Sequence, residues 1–250
     1  MGKTYEAILK EAETDPCTYK EAINDIDAYH WVKAMKSELD SMYSNQVWDL
    51  VKAPNGIKPV GCKWVYKRKW GIDGKFETFK VRLVAKEYRQ KEGIDYGETF
   101  SLVAMLKSIE ILLSIVTHYN HKIWKMDVKT AFLNGTLEEK IYMMQLEGFI
   151  AKNQEHMVCK LKRSIYGLKQ ASRSWNIRFD QAIKSFGFKQ NLDEPYVYKR
   201  HQDKVVMFLM LYVDDILLIG NDVRVMSLVK VWLSSFGNQT FILEIKLTLF

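Results

Sequence analysis

Val205-Val206-Met207-Phe208-Leu209-Met210-Leu211-Tyr212-Val213-Asp214-Asp215-Ile216-Leu217-Leu218-Ile219 is the stretch on which the fold turns: 15 residues, apolar or aromatic except for one adjacent pair of aspartates. A bilayer-spanning helix needs about 20 apolar residues. The two acids also interrupt the run, so a membrane span is disfavoured on both counts. A buried β-hairpin with the acids at its tight turn fits better. Adjacent carboxylates there repel one another and lose hydration, which is costly unless a cation compensates. An exposed Asp-Asp turn is the alternative, since Asp is a common turn residue.

A second acid bears on that choice. In Ile123-Trp124-Lys125-Met126-Asp127-Val128, Asp127 ends a strand-like segment and precedes Thr130-Ala131-Phe132-Leu133-Asn134-Gly135. It either caps a turn or, if its strand neighbours the hairpin, converges with Asp214 and Asp215. Three carboxylates together would supply the hard oxygen ligands that Mg²⁺ prefers, sharing its shell with water and substrate phosphates. Two such ions a few Å apart can activate an attacking oxygen and stabilise a leaving pyrophosphate.

Outward from these acids, the chain of 250 residues is 48% hydrophobic and 27% charged, a globular composition that excludes disorder and collagen-like repeats. Its net charge is +7. From Gly61 to Lys91, ten basic residues stand against three acidic ones, so this segment carries the whole excess. Trp64, Tyr66, Trp70, Phe76 and Phe79 interleave with the cations, and Gly71-Ile72-Asp73-Gly74 separates two β-like segments. The pattern reads as a basic hairpin able to lie along phosphates, through Lys67, Arg68 and Lys69 among others, or as a solvated basic face. Cys17, Cys62 and Cys159 have no paired spacing, so neither a disulfide framework nor a zinc knuckle is expected. The charged N-terminus lacks the apolar core of a secretory signal.

Apolar periodicity predicts helices over 23–43, with Ala28, Trp31, Met35, Leu39 and Met42 inward, over 101–118, and over 171–186, with Trp175, Phe179, Ala182, Ile183 and Phe186 inward. Short β-like runs fall at 122–128, 140–144, 158–161 and 205–219. The mixture predicts an α+β layer rather than regular βαβ winding.

Tyr212-Val213-Asp214-Asp215 resembles the catalytic box of reverse transcriptases, and the chain is similar to the polymerase domain of copia-type long-terminal-repeat retrotransposons, particularly plant ones. The likeness runs from about Asp15 to Asp222. It rests on Gly61-Cys62-Lys63-Trp64-Val65-Tyr66-Lys67, Arg82-Leu83-Val84-Ala85-Lys86, Glu92-Gly93-Ile94-Asp95-Tyr96, the run from Met126 to Gly135, and Ser164-Ile165-Tyr166-Gly167-Leu168-Lys169-Gln170-Ala171. The resemblance implies a right-hand polymerase of fingers and palm, with an antiparallel palm sheet packed on helices and a truncated thumb. It implies an RNA-directed DNA polymerase that copies RNA or DNA templates from a primer, using deoxynucleoside triphosphates and two Mg²⁺ ions, with Mn²⁺ as a substitute. By the family pattern Asp127, Asp214 and Asp215 carry the metals. Phe132 is the aromatic gate that crowds a 2′-hydroxyl, and Gln170 packs near the incoming nucleotide and template. Lys80, Arg82 and Lys63 hold the triphosphate, and Tyr212 lies near the primer end.

The expected organisation is a tail over 1–20, fingers with an adjoining palm helix over 21–120, palm over 121–222, and a truncated remnant of the palm–thumb junction over 223–250. Four positions depart from the family pattern: Glu87 and Glu244 replace glycine, and Leu102 and Leu146 replace proline. Each is reachable by one C:G to T:A transition. After Ser235 the segment is shorter than usual. A truncated copy with reduced activity is expected, in an intracellular setting, either particle-associated in the cytoplasm or nuclear. A catalytically silent remnant or a non-enzymatic nucleic-acid-binding module is the competing reading.

Overall fold

The computed structural model describes residues 14–71, 74–86, 106–128, 130–150, 152–235 and 243–246. The helix expected over 23–43 is divided. α1 (Tyr19–Asn24) ends at Asp25, and α2 (Ala28–Ser44) begins after Asp27. The Asp25 carboxylate accepts the Asp27 N–H at 2.8 Å, a local alternative to helical bonding. Trp31, Met35, Leu39 and Met42 of α2 are buried as the three- and four-residue spacing requires.

β1 (Trp48–Lys52) follows, then β2 (Cys62–Trp70) and β3 (Phe76–Ala85), which pair antiparallel as the basic hairpin. Its inward face, with Trp64, Tyr66, Val81 and Leu83, packs on α2 in a core that also takes in Leu133, Met143, Leu161 and Ile165. β1 joins β6 (Met157–Leu161) and the short β5 (Tyr142–Met143) in a three-stranded sheet. Leu146, where the family pattern has proline, is 4% exposed and fills this core. The positions of Glu87 and Leu102 lie outside the described residues.

The larger sheet has six antiparallel strands. β4 (Lys122–Val128), β9 (Val205–Tyr212) and β10 (Asp215–Gly220) are the expected strand and hairpin. β7 (Lys189–Gln190), β8 (Val197–Gln202) and β11 (Leu243–Lys246) extend them in the order β11-β4-β10-β9-β8-β7. One face of the sheet, with Met126, Leu209, Leu211, Ile216 and Leu218, packs on α4 (Ala171–Ser185) and α5 (Val223–Ser235). The other, with Ile123, Met210 and Ile219, packs on α3 (Leu106–Tyr119). The pleat alternates side chains between faces, so Asp127 and Asp215 lie on the α3 side, beyond the part that α3 covers. Glu244 holds the register position opposite Asp127 on the other flank of β4.

Candidate active site

The acids are brought together by register. Asp127 is the Cα partner of Asp215 across β4 and β10. The Val128 N–H donates to the Asp214 carbonyl at 2.8 Å, carrying the ladder one step past the strand end. β9 and β10 are joined by two residues, Val213 and Asp214. Val213 has φ 59° while Asp214 has no positive φ, the φ pattern of a type II′ turn. Glycine is usual at the first central position of that turn. A β-branched residue held there costs on the order of 1–3 kcal/mol and persists only where its surroundings fix it. The indole N–H of Trp175, a fully buried residue of α4, donates to the Val213 carbonyl at 2.8 Å. Thr130, just past Asp127, is also left-handed at φ 58°, ψ 35°. Two strained β-branched residues therefore flank the carboxylates.

Asp127 and Asp214 line a cleft of about 390 Å³ whose far wall is fingers: Lys80 and Arg82 of β3, with Ser37 and Glu38 of α2. The Arg82 guanidinium is 4.0 Å from Asp214 Oδ2, and Lys125 Nζ is 2.7 Å from Asp215 Oδ2. These side chains are between 32% and 46% exposed, so water screens the pairs and they hold little energy. Burial, and then the neighbouring Arg82, push the Lys80 ammonium below its ordinary value. Burial raises the Glu38 carboxyl, although the Leu83 N–H donates to it at 3.3 Å. Among the described residues, no group of three His, Cys, Asp or Glu side chains is close enough together to hold a metal ion. The basic side chains of Lys125 and Arg82 stand against two of the three acids instead.

The other expected site residues are distributed unevenly. Tyr212 is 39% exposed at the turn, beside the acids. Phe132 packs against both of the larger cores, in a T-shaped contact with Tyr166 at 4.9 Å between ring centroids, and does not line the cleft. Gln170 is 3% exposed at the N-cap of α4, also off the cleft wall. Lys63 sits opposite Val84 and lines a separate cavity of about 190 Å³ with Cys17, Lys86 and Glu147. It is not placed with Lys80 and Arg82, because it stands near the open end of the hairpin, beside Leu146 and Glu147.

Arg68 corrects the reading of the basic hairpin. It is 4% exposed, ion-paired to Asp25 at 3.0 Å and Asp27 at 3.1 Å, with its guanidinium over Trp31. It ties the hairpin to the α1–α2 junction and is not open to phosphate. Lys67 reaches Asp15 at 3.1 Å but keeps 64% of its side chain exposed.

Tyr166 is the site residue that sequence reasoning missed. The Ala85 N–H donates to its carbonyl at 2.8 Å, and Val84 forms a parallel bridge with it. The Arg82 guanidinium lies 4.5 Å over its ring. Burial pushes its hydroxyl up to about 12, so the ring is neutral at physiological pH. Tyr166 thus carries the Arg82 cation over its ring and meets Phe132 in a T-shaped contact. The block from Ser164 to Ala171 was visible in the sequence, but only Gln170 had been given a part in it.

A sheet that presents paired acids at its open end, faced across a cleft by cations of a packed hairpin, is a fingers-and-palm domain of the polymerase class. Over residues 45–246 the chain matches the family described as reverse transcriptase (RNA-dependent DNA polymerase), and it belongs to that family. It is 42% identical over 226 residues to the retrovirus-related Pol polyprotein from transposon TNT 1-94 of Nicotiana tabacum, and 39% identical over 217 residues to that from transposon RE1 of Arabidopsis thaliana. These alignments take in 90% and 86% of this chain but 17% and 15% of those polyproteins. A solved telomerase from Candida albicans aligns over 83% of this chain and 43% of its own at 14% identity and a TM-score of 0.41, too distant a likeness to weigh.

Proposed function

We propose that the chain catalyses RNA-directed DNA synthesis: transfer of a deoxynucleotide from its triphosphate to the 3′-hydroxyl of a primer paired to an RNA or DNA template. The observation that carries this reading is the pairing of Asp127 with Asp215 at the mouth of a cleft walled by Lys80 and Arg82. The donor set suits Mg²⁺, or Mn²⁺ in its place, because it offers only carboxylate oxygens at adjoining backbone positions. Asp127, Asp214 and Asp215 would hold the ions, with Lys125 and Arg82 released from the acids as they bind. Ions held by these acids would supply Lewis-acid activation of the attacking hydroxyl and charge neutralisation at the departing pyrophosphate.

The remaining work falls to the chain's own side chains. Lys80 and Arg82 bind the β- and γ-phosphates, which carry the charge that develops as the α-phosphorus is attacked. Tyr166 holds Arg82 in place through its ring, and Phe132 supports Tyr166 from behind the cleft wall. Tyr212 is exposed where a primer end would rest. No helix among the described residues is long and apolar enough to cross a membrane.

Primer extension on a defined RNA template with Mg²⁺, beside an Asp214→Asn control, tests the reading. The expected result is extension of the primer, abolished by the substitution. Nucleic-acid binding without extension, unchanged in the Asp214→Asn variant, would replace the enzyme by a binding module.

A further inference from the structure

The two-residue turn that carries the acids has two alternatives. Types I′ and II′ both place the first central residue at positive φ. They differ at the second, which lies at about +90° in type I′ and about −80° in type II′. Passing from one to the other flips the single peptide between those residues. Here that peptide runs from Val213 to Asp214, and its carbonyl is the group that the Trp175 indole holds at 2.8 Å. Val213 stands at φ 59° and Asp214 is not at positive φ, so the turn is on the II′ side. The local sequence does not demand this. Glycine, not valine, is the residue that favours II′, and aspartate is accepted at the second position of I′.

We propose that Trp175 is a positioning residue for the reaction: its indole N–H, reaching from the core behind the sheet, anchors the strained turn that presents the Asp214 carboxylate to the cleft. Without that bond Val213 is free to leave its left-handed conformation, and the relaxing turn carries the Asp214 carboxylate away from Asp127 and the Asp214 carbonyl away from Val128. α4 is a rigid element for this purpose, since Trp175, Phe179, Ala182 and Ile183 are all buried on it. The indole is 0% exposed, so water does not compete for the carbonyl.

The effect on activity rests on Asp214 acting as proposed above, whereas the effect on the turn does not. The test therefore reads both, in the full chain. Trp175→Phe keeps a ring in the core and removes the donor. Amide hydrogen exchange is followed at Val128, whose N–H is held by the Asp214 carbonyl, with Met126 as the reference for general loosening. Exchange at Val128 should rise on the order of tenfold relative to Met126, the scale of one hydrogen bond. In single-nucleotide extension, kcat should fall on the order of 10²-fold, as for a displacement of about 1 Å. KM for the nucleotide should hold, because Lys80 and Arg82 are on the fingers. Adding Val213→Gly, which favours II′ without help from the indole, should restore both Val128 protection and kcat. Unchanged Val128 exchange in Trp175→Phe, or loss that Val213→Gly does not restore, would overturn the proposal. If the unsubstituted chain extends no primer, the exchange data alone decide about Trp175, and the failure belongs to the proposed function.

Discussion

Substituting Gly167 by alanine should loosen the join between fingers and palm, by an amount that two glycines together make measurable. Gly167 follows Tyr166 and has φ +84°. A Cβ there would run into the Ala85 carbonyl oxygen and stand 2.7 Å from Val84 Cγ1, where ordinary contact begins at 3.4 Å. Two costs add. Left-handed backbone costs a residue with a Cβ about 1–2 kcal/mol. Forcing β3 away by the better part of an ångström costs a further 1–3 kcal/mol or so, as overpacking does. The sum, about 2–5 kcal/mol, corresponds to a Tm lower by roughly 5–20 °C in a chain of this size. Gly56 supplies the control: it has φ +78° with nothing within 4 Å of a built Cβ, so Gly56→Ala should show only the first cost. Urea unfolding of both variants reads the difference as the steric part alone. Because the displaced strand carries Arg82, Gly167→Ala should also raise KM for the nucleotide where Gly56→Ala does not. Equal destabilisation by the two substitutions would refute the close approach of Gly167 to β3.

Arg68→Met should destabilise the chain by about 2–3 kcal/mol, a discount on the 3–5 kcal/mol typical of a broken buried pair, since Asp25 and Asp27 keep 18% and 30% of their side chains exposed. It should leave the salt dependence of nucleic-acid binding unchanged, whereas Lys67→Ala with Lys69→Ala should flatten it, read from log–log plots of affinity against salt. Glu38 sets a pH trend: its folded pKa lies above the ordinary 4.5, so the folded state holds the proton more tightly than the unfolded state. Stability is then greatest below 4.5 and declines as pH rises through the raised value. Glu38→Gln should remove that decline in unfolding midpoints measured across the range.

Much of the site was legible because its signals are local. The continuous apolar run around Asp214 and Asp215, the strand-like segment that ends in Asp127, and the three- and four-residue spacing of Trp31, Met35, Leu39 and Met42 each lie within one segment, and such a pattern needs no partner to be seen. The helix over 171–186 and the hairpin over 205–219 form with nearly the expected bounds. β1, β8 and α5 were not read, since strands and helices that complete an existing layer need only a weak pattern of their own once neighbours cover them.

Charge and register were different matters. Nothing near Arg68 distinguishes it from Lys67 or Lys69 in a run of cations. Its burial follows from Asp25 and Asp27, more than 40 positions away, and from the ring of Trp31. The role of Tyr166 arises from a backbone bond to Ala85, and that of Trp175 from a carbonyl 38 residues on. The sequence by itself determined which acids are the candidates for the chemistry, because carboxylates inside an apolar hairpin are costly unless something compensates them. Only the tertiary structure decided which cations face them and what holds their turn, because those are pairings between distant segments, fixed when the sheet closes on its helices.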